Sequence, residues 1–285
     1  MRFLSYEISG REGLAVFSGD DWHGLAEGDA GYPGRLEALL AAGPGALTKA
    51  AARLESAPRI DRDTVTLRPP LSAPGKIVCI GLNYRDHTAE SGFVQPDYPT
   101  VFGRFSSSLI GHGAAILRPT LSEQLDYEGE LAAVIGRRAR HVPEAEALDY
   151  VAGYSVFNDA SIRDYQFKAP QWTPGKNFDA TGAFGPEFVT ADELPPGCAG
   201  LTLTTRLNGT VVQQASIDDM VFPVARLVSL LSAFMTLEPG DVIVTGTPSG
   251  VGLGRQPPLW MVGGDVCEVE IEGVGLLSNP IREEG

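Results

Sequence analysis

The sequence predicts an α+β fold that is predominantly β. Apolar runs of strand length recur between turn residues, among them residues 76–82, 131–136 and 151–159. Glycine (34) and proline (21) are abundant, which favours many turns over a helical bundle. The clearest helix spans 223–237, with Val224, Leu227, Val228, Leu231 and Met235 on one stripe and Pro223 in its first turn. That stripe reads as core.

A chain of 285 residues can bury a sizeable core and hold one or two domains. Residues 1–70 read as a small N-terminal domain. Strands are expected at 3–8 and 13–17 with a turn at 10–13, and short helices at 35–40 and 47–54 around Gly43-Pro44-Gly45. Nothing in this stretch suggests chemistry. A proline-punctuated link then leads into residues 71–285, where the polar motifs lie. Later elements are a short helix from Pro143, a hairpin turning at Asn208-Gly209, and a strand from Asp241 that runs into a glycine-rich loop. That loop lacks the spacing of a phosphate-binding loop.

The formal charge of −14 argues against nucleic-acid or anionic-membrane partners. It leaves room for a small anionic substrate at a locally positive site. No apolar run is long enough to span a bilayer. Residues 1–7 lack the apolar core of a signal peptide, so a cytoplasmic protein is expected. The three cysteines, Cys79, Cys198 and Cys267, have no metal-like spacing. Cys79 and Cys267 sit in strand-like runs and read as reduced core residues.

The stretch Asp126-Tyr127-Glu128-Gly129-Glu130 carries the sharpest signal. If the strand begins by Glu128, Glu128 and Glu130 share a face and repel unless a cation lies between them. A solvated acidic strand end is the alternative. Asp159 is a third carboxylate at a strand end, and a helix cap is its alternative. A divalent cation with oxygen ligands would compensate all three, whereas zinc fits poorly without Cys or His in the set. His87 and Glu90 stand three apart on an expected helix, either as an oriented general base or as an exposed ion pair. Arg163, Gln166 and Lys176, with Arg104, would supply positive charge and hydrogen bonds for an anion. Surface cations are the alternative for each.

These residues also carry a resemblance. The motifs are G-L-N-Y-x-x-H-x-x-E (81–90), D-Y-E-x-E-L-A (126–132), N-D-x-S-x-R-D-x-Q (158–166), G-K-N-F (175–178), L-N-G (207–209) and P-G-D-V-I-x-T-G-T-P-x-G-V-G (239–252). In order and spacing, residues 74–281 resemble the fumarylacetoacetate hydrolase superfamily, of the 2-hydroxyhepta-2,4-diene-1,7-dioate isomerase and acylpyruvate hydrolase type. The resemblance implies a mixed β-roll catalytic domain after a small N-terminal domain, and a homodimer. It implies Mg²⁺, or Mn²⁺ or Ca²⁺, on Glu128, Glu130 and Asp159. It places His87 and Glu90 on a lid segment as the catalytic pair with Lys176, and Arg163, Gln166 and Thr247 against substrate. Tyr84 and Arg104 complete the expected substrate-binding set. Many members carry Lys-Pro where this chain has Arg104-Phe105, and arginine is not a neutral replacement for lysine.

The expected activity is hydrolysis of a C–C bond in an acylpyruvate-type substrate, through a metal-bound enolate, in aromatic-compound catabolism. Isomerisation, decarboxylation or hydration of 2-hydroxydienedioates is the alternative, as is decarboxylation or tautomerisation of oxaloacetate. A non-catalytic, metal-stabilised module is the alternative of a different class. It would leave His87, Glu90, Lys176 and Arg163 without a task.

Overall fold

The computed structural model describes residues 1–86 and 97–285, with Pro44 described in its backbone only. Among them a twelve-stranded mixed sheet runs through the molecule. Its middle is the strand Gly129–Ile135, flanked antiparallel by Val151–Asp159 and by Val242–Val244. Beyond Val242–Val244 come Ile77–Gly81, paired in parallel, and then the edge strand Thr100–Arg104. On the other side Val151–Asp159 pairs with Gly182–Thr190. A five-stranded sheet, ordered Thr210–Ser216, Thr202–Leu207, Val266–Ile271, Gly275–Glu283 and Ile116–Arg118, packs against the first. The short pair Leu125–Asp126 and Ser161–Ile162 lies at the mouth of the central strands.

The apolar run after Glu130 is uniform because its strand is covered on both faces. Leu131, Ala133 and Ile135 enter one core cluster, and Ala132 and Val134 enter another. Burying each of the larger side chains contributes about 1.5–3 kcal/mol. The first cluster also takes the inner face of the five-stranded sheet and the stripe of the helix Val224–Phe234. That helix ends earlier than its periodicity suggests. Met235 is already extended, because Leu237 exchanges backbone hydrogen bonds with Ala139.

The second cluster joins the N-terminal region to the rest. Phe3, Leu36, Leu40, Leu47 and Leu54 pack with Phe157, Phe184 and Phe188. Arg2–Ile8 pairs antiparallel with Gly182–Thr190, so residues 1–70 extend the main sheet. The N-terminal region also keeps a small cluster of its own, Leu4, Tyr6, Ala15, Trp22 and Leu67. The first hairpin turns at Ser9-Gly10, not over residues 10–13, with Ile8 opposite Arg11. Ser9 (φ 51°) and Gly10 (φ 73°) both take positive φ, the two-residue turn that suits strand twist. Asn208 (φ 51°) and Gly209 (φ 77°) form the same kind of turn, as their sequence predicts. The helix expected from Pro143 is a 3₁₀ segment, Glu144–Tyr150. All three cysteines are free and buried. No helix among the described residues is long and apolar enough to cross a membrane.

Candidate active site

The central strands converge their polar ends on one buried recess. Glu130 stands on Gly129–Ile135, Asp159 ends Val151–Asp159, and Glu128 lies just before Gly129. One carboxylate oxygen from each lies within 4.8 Å of the others, and all three residues are buried. Such a set of hard oxygen donors suits Mg²⁺, Mn²⁺ or Ca²⁺. The pairing register makes the convergence possible, because Gly129 lies opposite Asn158 and brings Glu128 and Asp159 to adjacent positions. The Asp159 N–H donates to the Glu128 carbonyl at 2.9 Å, and the Glu128 N–H donates to Asn158 Oδ1 at 3.1 Å.

Three cations surround the acids. Lys176 Nζ reaches Glu128 Oε2 at 2.5 Å and Asp159 Oδ2 at 2.8 Å. Arg163 Nη1 lies 2.6 Å from Glu128 Oε1, and its Nε donates to Asp126 Oδ2 at 2.8 Å. Arg104 Nε lies 2.8 Å from Asp159 Oδ1. Four carboxylates, counting Asp126, face three cations, so the cluster without a metal is one negative charge in excess. The strain falls on Glu130. Burial first, then the charges of Asp159 and Glu128, hold its pKa well above the usual carboxylate range. Burial lowers the Lys176 pKa, but Asp159 and then Glu128 more than reverse this, and its pKa lies above that of an ordinary lysine. It is an ammonium.

A carboxyl whose pKa is raised by folding contributes stability below its unfolded pKa and loses it as pH rises through the folded value. A cation takes the place of that proton. Metal affinity is therefore expected to rise with pH above the ordinary carboxylate range, with proton release on binding. Calorimetric titrations in buffers of different ionisation enthalpy check this. Identical heats in all buffers would contradict it.

The expected site residues fall into distinct places. Lys176, Arg163, Gln166 and Thr247 line a recess of about 20 Å³ together with Glu128 and Glu130. That volume is on the order of one ordered water or ion. Lys176 closes the short helix Thr173–Lys176, which fixes its direction. Gln166 Oε1 accepts from Arg163 Nη1 at 2.9 Å. Thr247 Oγ1 donates to the Gly129 carbonyl at 3.0 Å and accepts from Gln213 Nε2 at 2.8 Å. Arg104 differs from expectation. Its side chain is fully buried behind Asp159, donating to the Ala160 carbonyl at 2.8 Å and to Thr181 Oγ1 at 3.0 Å, so it braces an acid and does not line the recess. Tyr84 is buried in the core, where burial and then the Glu130 charge raise its pKa. His87 and Glu90 lie outside the described residues.

Four supporting residues escaped the sequence reading. Asp126 holds Arg163 and also accepts from the N–H groups of Gly252 at 2.7 Å and Leu253 at 3.0 Å, which ties the glycine-rich loop to the site. Its alternation with Glu128 and Glu130 was a usable signal. Gly252 is needed there, since a Cβ would run into the Leu259 carbonyl. Asn83 donates to the Thr245 carbonyl at 2.6 Å and the Phe222 carbonyl at 3.1 Å. Gln213, from the other sheet, also accepts from the Gly129 N–H at 3.1 Å. Asn158 is the fourth. The Gly246 N–H donates to Glu130 Oε2 at 2.5 Å, a role for the glycine-rich loop that needs no phosphate.

Comparison with known proteins agrees with this arrangement. The family described as "Fumarylacetoacetate (FAA) hydrolase C-terminal" matches residues 76–282. Oxaloacetate tautomerase fahd2, mitochondrial, of Xenopus laevis is 39% identical over 288 residues, covering 99% of this chain and 90% of the relative. Human oxaloacetate tautomerase FAHD2A, mitochondrial, is 37% identical over 272 residues, covering 94% and 86%. The solved fumarylacetoacetate hydrolase from Exiguobacterium antarcticum superposes with a TM-score of 0.87 at 35% identity, covering 100% of both chains. Maleylpyruvate hydrolase from Sphingobium sp. SYK-6, solved with manganese(II) and pyruvate, gives a TM-score of 0.81 at 28% identity, again over 100% of both. The matched family, the shared fold and the buried carboxylate trio lead to one conclusion: the chain is an enzyme of the fumarylacetoacetate hydrolase family.

Proposed function

We propose that this enzyme interconverts the keto and enol forms of oxaloacetate, or of a similar short 2-oxo acid, with a divalent cation such as Mg²⁺. The observation that carries the reading is the buried trio of Glu128, Glu130 and Asp159 with Lys176 and Arg163 beside it. A divalent cation bound to those acids supplies Lewis-acid polarisation of a carbonyl. The chain's own residues do the rest. The Lys176 ammonium faces the charge that develops on oxygen when a proton leaves the adjacent carbon. Arg163 Nη2 is buried with no hydrogen-bond partner among the described residues, which suits a substrate carboxylate. Asp126 and Glu128 hold that guanidinium still.

Tautomerisation moves a proton from carbon to oxygen and consumes no water. Oxaloacetate tautomerases 37–39% identical over most of this chain favour it over the C–C hydrolysis expected first. Hydrolysis of an acylpyruvate is the second reading, supported by the likeness to maleylpyruvate hydrolase. It needs an activated water, for which His87 and Glu90 are the expected pair. The test follows enol decay of oxaloacetate and cleavage of fumarylpyruvate, each with Mg²⁺, Mn²⁺ and EDTA. Metal-dependent acceleration of the first supports the proposal. Cleavage without tautomerisation, lost in His87→Ala, would replace it with the second.

A further inference from the structure

The geometry points to Trp172 as the residue that sets how long a substrate this site accepts. The inference rests on the reading above only in taking a 2-oxo acid as the occupant of the acids.

The recess has two unlike walls. The acids come from Gly129–Ile135 and its neighbour Val151–Asp159. The facing residues come from the other side of Val242–Val244, where Ile77–Gly81 and Thr100–Arg104 finish the sheet. Two strand spacings separate Gly129–Ile135 from Ile77–Gly81, roughly 10 Å. The lining there is apolar and aromatic: Leu82, Phe102 and Trp172, while Phe167 and Leu253 border the recess beside Arg163 and Asp126. A 2-oxo acid seated with its head on the acids therefore directs its tail at this wall.

Trp172 is the fixed part of the wall. Its indole lies flush on Gly81, where a Cβ would overlap the ring. The Phe102 ring meets it edge-on, with centroids 5.5 Å apart and planes at 62°. Phe102 is in turn held beneath Lys176, whose Nζ lies 5.0 Å from its centroid. The backbone just after Trp172 is the helix Thr173–Lys176, so the residue that bounds the recess and the one that delivers the ammonium are four apart on one rigid turn. Phe167, by contrast, is 47% exposed and free to yield at the rim. Among the described residues, a lengthened tail thus meets the Trp172–Phe102 pair.

The Trp172–Gly81 contact also explains why this strand ends in glycine. Any side chain at position 81 would push the indole off the strand, and no positive φ requires the glycine there. The pair works as a unit, and substituting both residues should show non-additive effects.

The experiment measures binding, not turnover. Straight-chain 2-oxo monoacids, from pyruvate upward, are titrated by calorimetry into the Mn²⁺-loaded enzyme. Wild-type affinity is expected to drop roughly tenfold or more at the first tail that reaches the indole. In Trp172→Ala the drop, measured against that variant's own pyruvate affinity, should move to longer tails. Trp172→Phe, a milder change, should fall between. Gly81→Ala should shorten or blur the cut-off, and Gly81→Ala/Trp172→Ala should behave as Trp172→Ala alone. A wild-type affinity independent of tail length would overturn the inference, as would a Trp172→Ala profile identical to wild type. If oxaloacetate proves not to be tautomerised while the cut-off and its shift are seen, the proposed reaction fails and the role of Trp172 stands.

Discussion

Lys176→Met is expected to lower turnover of the metal-loaded enzyme roughly 10²- to 10³-fold, the usual loss when a donor to a developing oxyanion is removed. Methionine keeps the length and much of the volume of the stem, so the change isolates the charge. The same substitution acts on folding. It removes one of the two cations that each of the buried acids Glu128 and Asp159 touches, leaving Arg163 on Glu128 and Arg104 on Asp159. Breaking such a pair from one side costs about 3–5 kcal/mol. The metal-free variant should therefore melt well below wild type, and saturating Mg²⁺ or Mn²⁺ should recover much of the difference. Steady-state rates and thermal unfolding with and without metal check both halves. Wild-type kcat in the variant would remove Lys176 from the chemistry.

The second large effect separates two acids that look alike in sequence. Glu128→Ala and Glu130→Gln should each abolish measurable metal binding by calorimetry, because each removes a donor from a set of three. Their effects on the metal-free protein should differ. Glu128 accepts from both Arg163 and Lys176, so its loss takes one carboxylate from each of two buried cations, leaving Arg163 with Asp126 and Lys176 with Asp159, and should cost about 3–5 kcal/mol. Burial, then the charges of Asp159 and Glu128, raise the Glu130 pKa and so favour its neutral form relative to an ordinary glutamate. Glutamine mimics that form and can still accept from the Gly246 N–H. Glu130→Gln should therefore match or exceed wild-type stability at neutral pH in EDTA. Equal destabilisation by the two substitutions would show that the acids share the charge strain evenly, against the asymmetry argued here.

Much of this molecule was legible because its elements obey simple periods. The run after Glu130 has no polar residue until its strand ends, and a two-face-buried strand requires that. Asn208-Gly209 named its own turn. The stripe on the 224–234 helix named its buried face, though not its end, since Leu237 is claimed by a bridge to a residue nearly a hundred positions earlier. The Ser9-Gly10 turn was misplaced because glycine at either end of Gly10-Arg11-Glu12-Gly13 can take positive φ, and only pairing shows which one does. The N-terminal region looked separate because its chemistry differs. Its strand nonetheless pairs with the side of Gly182–Thr190 that faces away from Val151–Asp159.

The trio Glu128, Glu130 and Asp159 could be named from residue order, because side-chain alternation and strand ends are local properties and the motifs around them match a known family. What each cation does could not. Arg104, Arg163 and Lys176 are all basic residues, and nothing local tells a brace from a substrate contact. The sheet decides it: Arg104 is carried behind Asp159, while the turn at 173–176 swings Lys176 in front. Likewise Trp172 has no motif to announce it. Its place depends on a strand some ninety residues away ending in glycine, a contact that exists only once the sheet has formed.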